Sequence, residues 1–423
     1  VTSEPYDVVG IGFGPSNLSL AIALEETGGL SAAFFEKQDS LRWHSGMLVP
    51  GAKMQVSFLK DLATPRNPVS SYSFVSYLHD RGRFARFVNN SDFFPTRREF
   101  QDYLRWAEAR LSPPVHYRAE VVSVRRAEGV LRVHVRDTES GATRTVDTRN
   151  IVISTGLVPR MPVGLEAGES VWHSSQFLHR FHALGDRDVR RVAVVGAGQS
   201  AAELVRYLHE NLPSAQVFAV LPSYGYAIAD STPFANEVFD ADAVDVFYDA
   251  SDKAKAAIWR YHRNTNYSVV DDEVIRDLYQ RAYDDEVRGE PRLRFLPLTR
   301  VVGAKQDRDG ITLLTHSTVD DQARDLPLDL VVCATGYDPM DPGELLAGLG
   351  CSVAYDELGR HLVGRDHRLV TEPDQDCGIY LQGGTEHTHG LTSSLLSNIA
   401  VRGGEITQSI LRRRAEQRNG APA

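Results

Sequence analysis

Two short segments constrain this chain more than anything else in it: Gly10-Ile11-Gly12-Phe13-Gly14-Pro15 and Gly196-Ala197-Gly198-Gln199-Ser200-Ala201. Each follows an apolar, strand-like run, Asp7-Val8-Val9 in the first case and Val192-Ala193-Val194-Val195 in the second, and each opens a helical pattern. Glycine permits the tight turn between strand and helix. It also lets the backbone approach a pyrophosphate whose charge rests on the helix N-terminus. Two such units predict two Rossmann-like domains with a dinucleotide in each, and 423 residues suffice for two or three domains. Two dinucleotides in one protein are useful mainly when electrons pass between them.

The first unit reads strand, turn, helix, strand over residues 6–37, with Leu18, Ala21 and Ile22 as the apolar stripe of its helix. Its second strand, Ala32-Ala33-Phe34-Phe35, ends in Glu36, about 20 residues past the glycines, where a carboxylate can bind ribose hydroxyls. The third fingerprint glycine is out of place, since Phe13, Gly14 and Pro15 follow Gly12, so helix packing there is expected to differ. The second unit repeats the layout over 191–223, with Ala201, Leu204, Val205 and Leu208 as its stripe. Its second strand runs into Pro222-Ser223 without an acid, which leans toward NADP over NAD, and no arginine stands there for the 2′-phosphate. Two further strands end alike, Ile151-Val152-Ile153-Ser154-Thr155-Gly156 and Leu330-Val331-Val332-Cys333-Ala334-Thr335-Gly336, as at crossovers between nucleotide domains. Between 224 and 292 glycine becomes rare and helical patterns appear at 252–261 and 272–283, a mainly helical insertion suited to substrate recognition.

Composition removes several function classes. A net charge of −10 argues against a nucleic-acid or anionic-membrane surface, and Arg412-Arg413-Arg414 reads as a solvated helix end. Cys333, Cys351 and Cys377 form neither a C-x-x-C pair nor a zinc-like cluster, which fits a reduced, cytoplasmic setting and excludes a disulfide reductase. His387 and His389 lack metal-ligand spacing with other candidates, so no metal is expected. No signal-like N-terminal pattern and no membrane-length apolar run is present. A flavin dehydrogenase and a flavin monooxygenase remain.

Further motifs then narrow the choice. They are Gly10 through Pro15 continuing into Ser16-Asn17-Leu18, Trp43-His44, Met54-Gln55-Val56-Ser57-Phe58-Leu59-Lys60-Asp61-Leu62, and Pro233-Phe234-Ala235-Asn236-Glu237. Asn264-Thr265-Asn266-Tyr267-Ser268-Val269-Val270, Asp329 with Ala334-Thr335-Gly336-Tyr337, and Thr388-His389-Gly390-Leu391 leading to Leu395-Leu396-Ser397 complete the set. In these words, spread over nearly the whole length, the chain resembles the microbial N-hydroxylating flavin monooxygenases, the L-ornithine and L-lysine hydroxylases of siderophore and natural-product pathways. Cys333 departs from the Leu or Phe usual before Ala-Thr-Gly-Tyr, and as a small hydrophobe it should not alter the chemistry.

The resemblance implies an α/β fold: an FAD domain (1–165 and 330–412), an NADPH domain (166–223 and 293–329), a smaller helical substrate domain (224–292) and a flexible tail (413–423). It assigns FAD to Gly10, Gly12, Gly14, Pro15, Ser16, Glu36, Lys37, Trp43, His44, Met54, Gln55 and Leu396. NADPH falls to Gly196, Gly198, Gln199, Ser200 and Ser223. Lys60 would pair with the substrate carboxylate, Asn236 and Asn266 would bind polar groups of the amino acid, and Gln55, Asn266 and Ser397 would lie near flavin and substrate. No side chain is expected to act as an acid or base. The activity implied is hydroxylation of the L-ornithine side-chain amine by O2 through a C4a-hydroperoxyflavin, in a cytoplasmic homo-oligomer (dimer or tetramer). Its rivals are L-lysine hydroxylation, an NADPH oxidase or flavin reductase, and a non-catalytic flavoprotein sensor.

The residue types suit that chemistry. An alkyl amine has a pKa of about 10.4 and must lose its proton to act as a nucleophile. A carboxylate beside it would hold it charged, whereas the neutral amides of Asn236 and Asn266 would not. Lysine is scarce here, with six in the chain, and Lys60 follows the apolar-rich Val56-Ser57-Phe58-Leu59.

Overall fold

The computed structural model describes residues 4–306, 310–350, 352–372 and 376–420, so Cys351 lies outside the described residues. The first domain is built on β1 (Tyr6–Ile11), α1 (Pro15–Thr27), β2 (Ala32–Phe35), β3 (Val115–His116), β4 (Ala119–Ala127), β5 (Val130–Asp137) and β6 (Thr143–Ile153). The strand order is β3-β2-β1-β6-β5-β4. Strand β1 lies parallel to both β2 and β6, β4 to β6 form an antiparallel meander, and Gly378–Leu381 adds a parallel strand against β6.

Helix α1 is buried continuously from Asn17 to Leu24, which a one-sided stripe did not anticipate. It sits between the sheet and the C-terminal helix, and Gly403 permits that approach: a Cβ there would stand 3.3 Å from the Leu20 backbone. A helix apolar on every side is one packed on every side.

The second domain has a five-stranded parallel sheet containing β7 (Val171–His173), β8 (Arg191–Val195) and β9 (Gln216–Val220). Helix α2 (Gln199–Asn211) joins β8 to β9. Within the insertion, helices Ala241–Asp249, Asp252–His262 and α3 (Asp272–Val287) follow one another, and the short strands Ala227–Ile228 and Val269–Val270 pair in parallel. Helix α3 is pinned to α2 by a buried cluster. His209 Nε2 lies 2.9 Å from Asp285 Oδ2, which also accepts the Leu293 amide at 3.0 Å. Strands β10 (Leu293–Leu296) and β11 (Leu330–Cys333) complete the sheet in the order β10-β9-β8-β11-β7.

Two boundaries differ from expectation. The return to the first domain does not come at 330, because β11 runs parallel to β8 inside the second sheet (Val331↔Ala193, Val332↔Val194). Its four residues are buried on both faces, as a central parallel strand requires. The chain crosses back after Gly336, where Tyr337–Pro339 pairs antiparallel with the outgoing Leu157–Pro159. The tail is also not free from 413 onward. The last helix, α4 (Ile399–Gly420), continues to Gly420, with Arg414 donating to the Gly29 carbonyl and Gln417 to that of Asp376.

Among the described residues no helix is long and apolar enough to cross a membrane. Cys333 is fully buried, and burial pushes its thiol up to about 12, so it is inert filler as its position suggests.

Candidate active site at the junction of three domains

The two glycine turns correspond position by position, though not in the alignment their sequences suggest. Gly12 (φ +80°) and Gly196 (φ +141°) occupy the sharp bend after their strands. A Cβ on Gly12 would stand 2.5 Å from the Ser154 carbonyl oxygen, and one on Gly196 would stand 2.3 Å from that of Ala334. Gly14 (φ −101°, ψ −168°) and Gly198 (φ −100°, ψ −177°) are the N-cap residues of α1 and α2.

The first fingerprint therefore begins at Gly12. Gly10 is displaced from the cofactor turn: it sits inside β1 between Phe34 and Val152, where a Cβ would strike the Phe34 ring at 2.2 Å. Asn17 takes the third position, and its amide donates to the Gly12 carbonyl at 2.6 Å. Asn17 stands in a motif that carries the family resemblance but receives no role from it; the signal for this role is its five-residue spacing from Gly12, matching Gly196 to Ala201.

Both turns fit a pyrophosphate. Neither α1 nor α2 is capped by its N-cap side chain, so first-turn amides are left for an anion. No atom lies within 4 Å of a Cβ built on Gly14, and one on Gly198 meets only Ser268 backbone, at 3.7 Å. Pro15 opens α1. Beside the half-buried Ser16 lies Arg402, whose Nη2 is 3.5 Å from the Ser16 hydroxyl. Burial pulls the Arg402 pKa down to about 10, which leaves it a cation at neutral pH. It is a residue missed in the sequence, standing alone on an otherwise small or apolar stretch of α4.

Glu36 has a double duty. Its Oε2 accepts the Phe13 amide at 2.7 Å and its Oε1 the Gln38 amide at 2.9 Å, so the carboxylate braces the glycine turn. The lone pairs left over suit ribose hydroxyls. Lys37 beside it is exposed.

In the first domain, His44 has a left-handed backbone (φ 47°) and packs edge-on to Trp43 (4.8 Å) and Tyr337 (6.1 Å). The residue is exposed, yet desolvation by the surrounding protein, aided by Arg97, lowers its pKa and keeps it neutral. Met54 is buried and Leu396 half-buried. The Ser397 hydroxyl is buried with no hydrogen-bond partner among the described residues.

The expected substrate residues come from two domains. Lys60 Nζ lies 3.7 Å from Asp240 Oδ1, which brings the 55–60 loop against the insertion just past Asn236. Asn236 donates to the Thr232 carbonyl at 3.2 Å, and Asn266 lies half-buried in the turn after Thr265. The Ser223 hydroxyl is turned onto the Gly225 carbonyl at 2.7 Å. Ser200 is half-buried in the first turn of α2.

A polar network missed in the sequence ties these pieces together. Arg97 forms a two-pronged pair with Glu203 of α2 at 2.7 and 3.0 Å, joining first domain to second. Burial pushes the Glu203 carboxyl up, and the Arg97 guanidinium works against that. The Gln199 amide nitrogen donates to Glu203 (3.0 Å) and Asp271 (2.9 Å), and its oxygen accepts the Asp271 amide (2.9 Å). Its side chain is therefore committed to protein, leaving the backbone of α2 to face a ligand. Gln55 likewise donates to Asp271, at 3.0 Å.

Comparison with known proteins places this geometry. The family model for L-lysine 6-monooxygenase/L-ornithine 5-monooxygenase matches residues 4–339. The L-ornithine N(5)-monooxygenase of Pseudomonas aeruginosa is 37% identical over 97% of this chain and 94% of its own. The solved ornithine N-hydroxylase KtzI of Kutzneria sp. 744, with reduced FAD, NADP+ and L-ornithine, is 61% identical, with TM-score 0.95, covering 97% of this chain and 100% of that one. The L-lysine 6-monooxygenase of Pseudomonas syringae is 32% identical with TM-score 0.84, covering 96% and 99%.

Proposed function

The chain belongs to the L-lysine 6-monooxygenase/L-ornithine 5-monooxygenase family, and from that membership we propose that it hydroxylates the side-chain amine of L-ornithine. The reaction consumes L-ornithine, O2, NADPH and a proton and yields N5-hydroxy-L-ornithine, water and NADP+. The product suits siderophore or non-ribosomal peptide assembly, piperazate units included. The observation that carries the reading is the meeting of three domains beside the N-terminus of α2, where Gln55 and Gln199 both donate to Asp271, with Lys60 of the same 55–60 loop paired to Asp240 of the insertion.

FAD, when bound and reduced by NADPH, supplies the activation of O2. The protein's own part is placement and protonation state. Gly12, Gly14, Pro15, Ser16 and Glu36 would hold FAD, with Trp43, His44, Met54, Gln55 and Leu396 beside the flavin and Lys37 at the exposed rim. Gly196, Gly198, Ser200 and the α2 N-terminus would hold NADPH, with Ser223 near its far ribose.

Lys60 binds the substrate carboxylate. Its present partner Asp240 is 60% exposed at the side chain, and such pairs contribute about 0–1 kcal/mol, so exchange for a substrate carboxylate costs little. Asn236 and Asn266 bind polar groups of the amino acid without holding a proton on the reacting amine. The Ser397 hydroxyl, without a hydrogen-bond partner among the described residues, would accept or donate at the same site. Apolar Met54 and Leu396 keep water away from the oxidising centre.

A cytoplasmic homo-oligomer, dimer or tetramer, belongs to the same proposal. Tyr279, Tyr283 and Val287, exposed at i, i+4 and i+8 of α3, support an interface there. A side-by-side assay with L-ornithine, L-lysine and a bare diamine tests the activity. Hydroxylamine is expected with L-ornithine at least tenfold above the others; a product chiefly from L-lysine, or only peroxide from all three, overturns it.

A further inference from the structure

Asp271 stands at the N-cap of α3 with an extended backbone (φ −63°, ψ 138°), where an aspartate ordinarily turns its carboxylate onto the first-turn amides. Here neither oxygen caps the helix. One accepts Gln55 from the first domain at 3.0 Å, and the other accepts Gln199 from the second domain at 2.9 Å. The Asp271 amide closes the pair with the Gln199 oxygen at 2.9 Å. Gln199 is 9% exposed and is anchored from behind by Glu203, itself locked to Arg97. The helix has thus forgone its local cap so that a single carboxylate can span two domains. That span lies between the N-terminus of the second dinucleotide helix and the loop that carries Gln55 and Lys60. The buried strand Val269–Val270 connects Asp271 to Asn266, so substrate loop and cofactor helix share one joint.

We propose that Asp271 is a positioning residue: by holding Gln55 and Gln199 on its two oxygens, it sets α2 against the 55–60 loop and so controls retention of NADP+ and coupling of oxygen use to hydroxylation. A carboxylate is required because two amide donors arrive on two different oxygens. Asparagine offers one acceptor, and serine is too short to reach either amide. The coupling half rests on the hydroxylase reading above; the NADP+ half does not.

Serine provides the decisive variant, because its hydroxyl can supply the local cap that Asp271 forgoes and so offset the lost hydrogen bonds in stability, without reaching either glutamine. In the FAD-loaded enzyme, Asp271→Ser should keep the parent's flavin content and melting temperature. Its NADP+ dissociation constant should rise about tenfold, the scale of losing a charged hydrogen bond. With L-ornithine present, the fraction of NADPH electrons appearing as peroxide should rise at least threefold. Asp271→Asn should lie between parent and serine. Gln199→Ala should reproduce the serine defect, and the double variant should be no weaker for NADP+ than the worse single. Parent-like NADP+ affinity in Asp271→Ser overturns the proposal. So does a defect that appears only together with lost melting temperature or flavin, or full additivity in the double variant. If the parent makes no hydroxylamine from any amine, the hydroxylase reading fails while the NADP+ titration still decides the role of Asp271.

Discussion

The displaced fingerprint makes a sharp prediction about Gly12 and Gly14, two glycines separated by a single residue with different reasons to be glycine. Gly14 has φ −101° and ψ −168°, extended backbone open to any residue, and no atom lies within 4 Å of a Cβ built there. Gly14→Ala should leave the flavin-free protein within about 1 kcal/mol of the parent, since alanine narrows the unfolded ensemble without native strain while capping α1 less well than glycine. On the proposed placement of FAD, its methyl would occupy space left for the pyrophosphate. Overpacking costs about 1–3 kcal/mol, so FAD affinity should fall roughly 5- to 150-fold. Gly12→Ala should fail earlier. Its φ of +80° costs an L-residue about 1–2 kcal/mol. Its Cβ would also stand 2.5 Å from the Ser154 carbonyl oxygen on the neighbouring strand end. The assay is paired: thermal melting of flavin-stripped protein, and FAD titration by fluorescence quenching. Gly14→Ala should melt close to the parent yet bind FAD poorly; Gly12→Ala should melt clearly below both. Gly198→Ala, the counterpart of Gly14→Ala, should weaken NADP+ and leave FAD affinity unchanged. Parent-like FAD binding by Gly14→Ala, or apoprotein melting as low as that of Gly12→Ala, would refute the reasoning.

Two further perturbations address substrate and acid stability. Lys60→Ala should raise the L-ornithine KM by at least tenfold while NADPH still reduces the flavin at close to the parent rate; unchanged ornithine saturation removes Lys60 from the site. His389 is 1% exposed and stacks on buried His367 at 4.2 Å. Burial and the neighbouring His367 lower its pKa to about 2. The unfolded chain therefore takes up the proton first, near pH 6.5, and stability present above that pH is lost progressively as pH falls toward 2. One such group costs about 1.4 kcal/mol between pH 7.5 and 5.5. Denaturant midpoints of the FAD-saturated enzyme should fall over that interval. His389→Gln should flatten the fall by about one proton's worth; an identical slope in the variant assigns the acid sensitivity elsewhere.

What the sequence makes legible depends on whether a constraint is local. The turns at Gly12 and Gly196 follow from strand, glycine and helix within a dozen residues, so two nucleotide domains could be read directly. The alignment of the first turn could not, because Gly10-x-Gly12 and Gly12-x-Gly14 are the same word. Only the positive φ of Gly12 and the Phe34 ring against Gly10 separate them. The apolar run at 330 fits either sheet equally well, and pairing to β8 rather than to β6 is decided by partners more than a hundred residues away. Asp271 is the clearest case. Read locally, an aspartate before a helix is a cap, and nothing nearby in sequence argues otherwise. Its actual partners lie 216 and 72 residues upstream. A short polar side chain can satisfy a nearby backbone amide or a distant side chain, but not both with the same oxygens. Where such a residue gives up the nearer bond, the fold has spent local helix stability on bringing domains together. Those positions are invisible to local rules for the same reason that they bear on function.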